Sequence, residues 1–236
     1  MCQVCGFKGH VGVSRRGLLG GAVATFVSTR FAAAAPAATG DGVPGDVALR
    51  ELMAGNARYV ANNPTHRNVH AGREDRVATQ KPIAAVLSCA DSRVAPEYVF
   101  DQGPGQLFVV RVAGNVLNDD GTASLEYAVK FLGVRLVIVL GHGNCGAVKA
   151  AIDVVQKGAA LPGHLPGLID LIKPAVVAAE ATHPKDLLSA AITENARTAA
   201  RHIASETPIL SEAAASGQLK VASGVYDLAT GQVHLV

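Results

Sequence analysis

Two short apolar runs in this chain each end in residues that bind soft metals. Ile83 to Arg93 reads IAAVLSCADSR: a stretch with the length and branching of a buried strand, then Cys89, Asp91 and Arg93 at alternate positions. Further along, Leu136-Val137-Ile138-Val139-Leu140 leads into Gly141-His142-Gly143-Asn144-Cys145, with His142 three residues before Cys145. A strand with no polar face is buried on both sides, which is the condition of a parallel sheet between helices. In such a sheet ligands and metals collect outside the carboxyl ends of the strands. The two stretches therefore predict one site, with the rest of the chain as the scaffold that brings their ends together.

The intervening sequence supplies that scaffold. A helix is expected from Asp46, as its cap, through about Val60. Residues 62–76 are polar and turn-rich, and His66 and His70 there read as surface polar residues. Strands are expected at Ile83–Ser88, Leu107–Val112 and Arg135–Leu140. Helical segments alternate with them at Pro96–Phe100, about Thr122 to Leu132 with Gly133 as the stop, and Asn144 to about Gln156. Helices then run at roughly Leu168–Ala181, kinked at Pro174, at Lys185–Thr207 with Pro184 at its start, and at Pro208–Ser216. The chain closes with a hairpin of Leu219–Tyr226 and Gln232–Val236 about Ala229-Thr230-Gly231. The expected fold class is α/β: a central, mostly parallel sheet of about four parallel strands plus one antiparallel edge strand, flanked by helices. With 236 residues and 49% hydrophobic content, residues 46–236 are expected to form a single domain around one core.

Residues 1–37 read as an export signal. Ser14-Arg15-Arg16-Gly17-Leu18-Leu19 resembles a twin-arginine motif, an apolar Gly-rich run follows, and Ala33-x-Ala35 and Ala35-x-Ala37 suit cleavage after small residues. The run is too short and too weakly apolar for a stable membrane span, so no membrane insertion is expected after processing. Residues 38–45 form a Gly/Pro-containing linker. The segment also holds Cys2-x-x-Cys5 and His10, half of a zinc pattern with no second pair nearby. It carries Lys8, Arg15, Arg16 and Arg30 and no acidic residue, and without these four the 21 basic residues fall to 17 against 19 acidic ones. No basic stripe remains for nucleic acid. The expected location is periplasmic or otherwise extracytoplasmic.

Beyond the signal only Cys89 and Cys145 remain as thiols. They could form a disulfide, lie inert in the core, or serve as two thiolates on one metal. Two thiolates and His142 make three ligands and leave a fourth position, the catalytic pattern for zinc rather than the closed structural one. Asp91 either closes the site as that fourth ligand or is held by Arg93 in a bidentate pair, which leaves a place for water. Such a water ionises near neutral pH, and two thiolates make it less acidic than three histidines do. Activity is then expected to rise towards alkaline pH.

Cys89-x-Asp91-Ser92-Arg93 together with His142-x-x-Cys145 resembles the β-class carbonic anhydrases. The similarity extends over roughly residues 46–236. It includes Gly55-Asn56-x-Arg58-Tyr59, Leu107 to Arg111, Gly114-Asn115, Ser124 to Ala128 and Tyr226-Asp227. The resemblance implies reversible hydration of carbon dioxide to bicarbonate and a proton, with one zinc ion per chain on Cys89, His142 and Cys145. By position, Asp91 accepts a hydrogen bond from the zinc-held nucleophile, and Arg93 holds Asp91 off the metal. Gln80 corresponds to a substrate-binding Gln, and the Gly146 N–H offers a donor to bicarbonate at a helix N-terminus. The resemblance also implies a homodimer or higher homo-oligomer in which residues 46–60 wrap a partner. Val94, Val112 and Tyr127 are candidates to line an apolar pocket, and His164 is a guess at a proton shuttle. A regulatory bicarbonate site found in some members uses a Trp, which this chain lacks. Two alternatives keep the metal: hydrolysis of carbonyl sulfide or carbon disulfide, and a zinc-bearing subunit closed by Asp91 without turnover. A metal-free thiol enzyme with Cys89 as nucleophile and His142 as base is a third.

Overall fold

The computed structural model describes residues 42–65 and 68–236. The export segment with Cys2, Cys5 and His10, most of the linker, and His66 lie outside them. Helix α1 (Gly45–Val60) leads through α2 (Arg73–Ala78) into strand β1 (Ala84–Ser88). Then come α3 (Pro96–Val99), β2 (Leu107–Arg111), a 3-10 turn at Ala113–Asn115, α4 (Asp119–Leu132) and β3 (Leu136–His142). Helices α5 (Gly146–Lys157), α6 (Leu165–Asp170), α7 (Lys173–Glu180), α8 (Leu187–Ser205) and α9 (Ile209–Ala215) precede β4 (Lys220–Tyr226) and β5 (Val233–Leu235). No helix of the described residues is long and apolar enough to cross a membrane.

The strands lie in the order β2-β1-β3-β4-β5, parallel except for the antiparallel pair β4–β5. Alternation explains why β1 and β3 are apolar throughout. Ala84, Val86, Leu136, Ile138 and Leu140 face one layer with Ala48 and Leu52 of α1 and Val99 of α3. Ala85, Leu87, Val137 and Val139 face the other, against Leu125 and Ala128 of α4, Ala199 and Ile203 of α8 and Leu210 of α9. A third cluster sits beyond the strand ends, between α5, α6, α7 and α8, and it contains Cys89 and Cys145. The chain leaves β1 towards β2 on one side and leaves β3 towards β4 on the other. The crevice of the sheet therefore opens between β1 and β3, the position where such folds bind ligands.

Several elements differ from expectation. The polar stretch before β1 contains α2, a short helix with no buried residue, so no apolar period announced it. The helix expected at 168–181 is two helices, because Pro174 lacks the N–H that continuation requires and falls at the start of α7 instead of kinking one helix. Pro184 stands in the turn before α8, whose cap is Asp186, accepting from the Ser189 N–H at 3.1 Å. Asp46 does not cap α1: Pro44 holds that position, and Asp46 accepts instead from Lys220 at 2.7 Å.

Helix α1 is fastened to its own chain. The Cβ of any larger residue at Gly55 would lie 1.8 Å from the Phe100 carbonyl oxygen, so only glycine permits this approach. The buried Asn56 amide donates to the carbonyls of Val99 (3.0 Å) and Gly231 (2.9 Å), and its oxygen accepts from the Val233 N–H at 2.9 Å. Arg58 then pairs with the buried Asp101, which also accepts from the Thr65 N–H.

Candidate metal centre

Cys89 follows the last residue of β1, and His142 is the last residue of β3, two beyond Leu140, the partner of Ser88 in the register. Adjacent parallel strands thus deliver a thiol and an imidazole side by side. Asn144 turns the chain at φ 55°, a conformation asparagine tolerates better than most residues, and Cys145 becomes the residue before α5. The result is compact: the ligand atoms of Cys89, His142 and Cys145 all lie within 4.8 Å of one another, and all three residues are buried. Both cysteines are free thiols, which removes the disulfide alternative.

The donor set suits a soft or borderline divalent ion. His142 Nδ1 lies 2.9 Å from the Gly143 carbonyl, which fixes the proton on Nδ1 and presents the Nε2 lone pair to the two sulfurs. That Nε2 is fully buried and has no hydrogen-bond partner. A polar atom left unpaired in the interior is costly unless a ligand engages it. The two sulfurs titrate as a pair. A hydrogen bond from Cys145 favours the Cys89 thiolate, against the cost of burial, and brings it down to about 4. The same contact, with burial, pushes Cys145 up, although the amides of Val148 and Ala147 at the start of α5 pull the other way. Burial disfavours a charged His142, but the neighbouring Cys89 thiolate outweighs it and the pKa rises. Of the two sulfurs, Cys89 is thus the one whose surroundings favour the thiolate.

Asp91 is not one of the three. Arg93 donates from Nε to Oδ1 at 2.9 Å and from Nη2 to Oδ2 at 2.8 Å, and its backbone N–H adds a third bond at 2.9 Å. This grip holds the Asp91 carboxyl well below the usual carboxylate range, against a smaller opposing effect of burial. Oδ2 remains 3.7 Å from His142 Nε2, so the carboxylate borders the ligand cluster while both its oxygens are engaged by Arg93.

The remaining expected residues fall in different places. Gly146 opens α5 beside Cys145, with no atom within 4 Å of where a Cβ would stand, and its N–H is one of those that a helix N-terminus leaves without an intrahelical partner. Gln80 is exposed in the segment before β1 and makes no side-chain bond to the cluster. Val94 packs in the layer under α1, and Val112 packs against the cluster that holds the cysteines. Tyr127 stacks instead on Phe131 and Phe108 at the α4–β2 edge and is 42% exposed. His164 is exposed at the start of α6.

Two residues to which the sequence reading gave no role act on the site. Arg111, the last residue of β2, donates from Nε to the Cys89 carbonyl (3.1 Å) and from Nη2 to the Asp91 carbonyl (2.7 Å), and so clamps the loop that carries both. Asn195, from the middle of α8, donates to the Gly114 carbonyl at 2.7 Å, and the Gly114 N–H reaches Cys89 Sγ at 3.2 Å. Neither has a local signature, because each acts on backbone that only the folded sheet brings near.

The sequence model of the carbonic anhydrase family matches residues 84–233. Carbonic anhydrase 2 of Mycobacterium tuberculosis is 37% identical over 192 residues, spanning 80% of this chain and 91% of that protein. The Coccomyxa β-carbonic anhydrase, solved in complex with acetazolamide, superposes with a TM-score of 0.62 at 31% identity, covering 71% of this chain and 78% of that one. A tetrameric β-carbonic anhydrase of Sordaria macrospora shares the fold, with a TM-score of 0.64 at 22% identity over 80% of this chain and 96% of that one. With the cysteine–histidine–cysteine cluster at the β1/β3 crevice and these likenesses together, the chain belongs to the β class of the carbonic anhydrase family.

Proposed function

We infer that Cys89, His142 and Cys145 hold one zinc ion, and that Asp91 and Arg93 act on the nucleophile beside it. The chain is a carbonic anhydrase, and its reaction is the reversible hydration of carbon dioxide. The observation that carries the site reading is the unpartnered, buried Nε2 of His142 set among two thiols, next to a carboxylate fully engaged by Arg93. When bound, zinc supplies a Lewis acid that brings the pKa of a water towards neutrality. Asp91, kept ionised by Arg93, is an acceptor only, so it welcomes an oxygen that carries a proton and repels a bare anion in the same position. That preference orients the O–H of the nucleophile and, in the reverse direction, the O–H of bicarbonate. The Gly146 N–H donates to the anionic oxygen of the product, a reading supported by its position at the head of α5. Arg93 and Arg111 hold the 89–91 loop through side chain and backbone respectively.

Nothing in the geometry or among the relatives favours the sulfur-containing substrates. The Arg93 grip on Asp91 argues against a permanently closed site. Gln80 contacts substrate from the loop before β1. The protein works as a homo-oligomer, at least a dimer, a reading supported by the exposed Tyr98, Val77 and Tyr127 and the open edge of β2. The twin-arginine pattern in residues 1–37 supports export in the folded state. The test is carbon dioxide hydration against pH on the zinc-loaded mature protein, with metal analysis and Arg93→Ala alongside. The expected result is one zinc per chain and a rate that climbs towards alkaline pH. A rate independent of pH across about pH 6 to 9 would remove a metal-activated water as nucleophile.

A further inference from the structure

Asn195 is 3% exposed, on a helix face otherwise made of Ala191, Ile192, Ala196 and Ala199. An amide in such surroundings lowers helix propensity and costs desolvation, so its hydrogen bond to the Gly114 carbonyl has to offset both. Gly114 in turn is the residue least able to hold its own conformation. It sits at φ 74°, and a Cβ there would lie 2.6 Å from Ile172 Cδ1 and 3.2 Å from Ala147 Cβ, so no side chain is admitted to stiffen it. Its N–H points at Cys89 Sγ, 3.2 Å away. The direction of that N–H is fixed by what grips the rest of the turn: the Asn115 N–H on the Val112 carbonyl at 2.9 Å and, across 81 positions of sequence, Asn195 on the Gly114 carbonyl at 2.7 Å.

We propose that Asn195 is a positioning residue for the metal centre, which aims the Gly114 N–H at the Cys89 thiolate and thereby sets how strongly that sulfur donates to zinc. The proposal rests on Cys89 being a metal ligand. An N–H directed at a thiolate draws charge from sulfur, lessens its donation and leaves the metal a stronger Lewis acid. The hydrogen bond also fixes the sulfur in place before the metal arrives. The other two ligands are oriented differently, His142 through the Gly143 carbonyl and Cys145 by the first amides of α5, so each donor has its own support.

Cobalt replacing zinc reports on the sulfur directly through its thiolate-to-metal charge-transfer band. In Asn195→Ala and Asn195→Leu this band moves to lower energy, and competition with a chelator shows metal retention about 10- to 100-fold weaker than in the parent. A variant that folds and loads cobalt with an unmoved band overturns the proposal. A second measurement needs no variant: in the cadmium-113 form, the Gly114 amide proton is expected to show scalar coupling to the metal through the hydrogen bond. Absence of that coupling also overturns the proposal, including the case where both variants fail to fold. If the parent protein itself shows no thiolate-to-cobalt band, the metal assignment falls and takes this proposal with it, whereas a present but immovable band removes this proposal alone.

Discussion

Arg93 is half exposed, yet it governs the charge state of the group nearest the cluster. Its fork engages both oxygens of Asp91, a geometry that lysine cannot reproduce. Because the folded-state pKa of Asp91 is depressed, its contribution to stability is present above the unfolded carboxylate value and disappears only as pH falls through the lower, folded value. Loss of activity on moving from alkaline to neutral pH therefore does not come from protonation of Asp91. Arg93→Ala releases the carboxylate to turn towards the metal. Stopped-flow hydration should then fall about 10- to 100-fold while metal analysis still finds one zinc per chain, and Arg93→Lys should recover little of the rate. If Arg93→Ala kept full activity, Asp91 would need no restraint. At this scale the sequence was legible where function is local. Cys89, Asp91 and Arg93 alternate within five residues, and His142 and Cys145 share one turn. Arg111 and Asn195 were not, since their partners are main-chain atoms of Cys89, Asp91 and Gly114, and side-chain type says nothing about distant carbonyls.

Elements were legible wherever one physical cause dominated. The apolar runs of β1 and β3 had no other reading than doubly covered strands, and Gly133 stops α4 in the left-handed conformation, as its position suggested. Boundaries set by competition were harder. The N-terminus of α4 lies at Asp119 rather than near Thr122, because Asn118 caps it by accepting from the Gly121 N–H at 3.0 Å. Asn118→Ala should cost about 1 kcal/mol in urea denaturation, and Asn118→Gly only a few tenths. A larger effect is expected at α1. Ala48 and Leu52 are buried against this chain's own sheet, and Asn56 ties the helix to both α3 and the β4–β5 hairpin. Asn56→Ala strands two buried carbonyls and one N–H, so roughly 3 kcal/mol or more of stability should be lost. Equilibrium unfolding of the mature protein measures it, and a loss under about 1 kcal/mol would mean that α1 is held mainly from outside the chain.

For the molecule as a whole, the ligand cluster is the place where fold and function oppose each other. The sheet buries two thiols and an imidazole at its crevice, and the interior offers Nε2 no partner. A fold that carries this cost is relieved by whatever binds the three atoms. Zinc binds the native arrangement far better than the unfolded chain, so it should stabilise the protein by mass action, about 4 kcal/mol at free zinc a thousandfold above its dissociation constant. For a chain of this size that corresponds to a melting temperature on the order of 10 °C higher in the loaded form. Stripping the metal with a chelator should lower the melting temperature by that amount, and returning zinc should restore it. Both thiols should also become open to alkylation only after stripping, Cys89 ahead of Cys145, because Cys89 carries the thiolate of the pair. Magnesium, which prefers oxygen ligands, should restore neither the melting temperature nor the protection. A melting temperature unchanged by chelation would mean that the cluster is satisfied by protein groups alone, and the strand ends would then be packing rather than a metal centre.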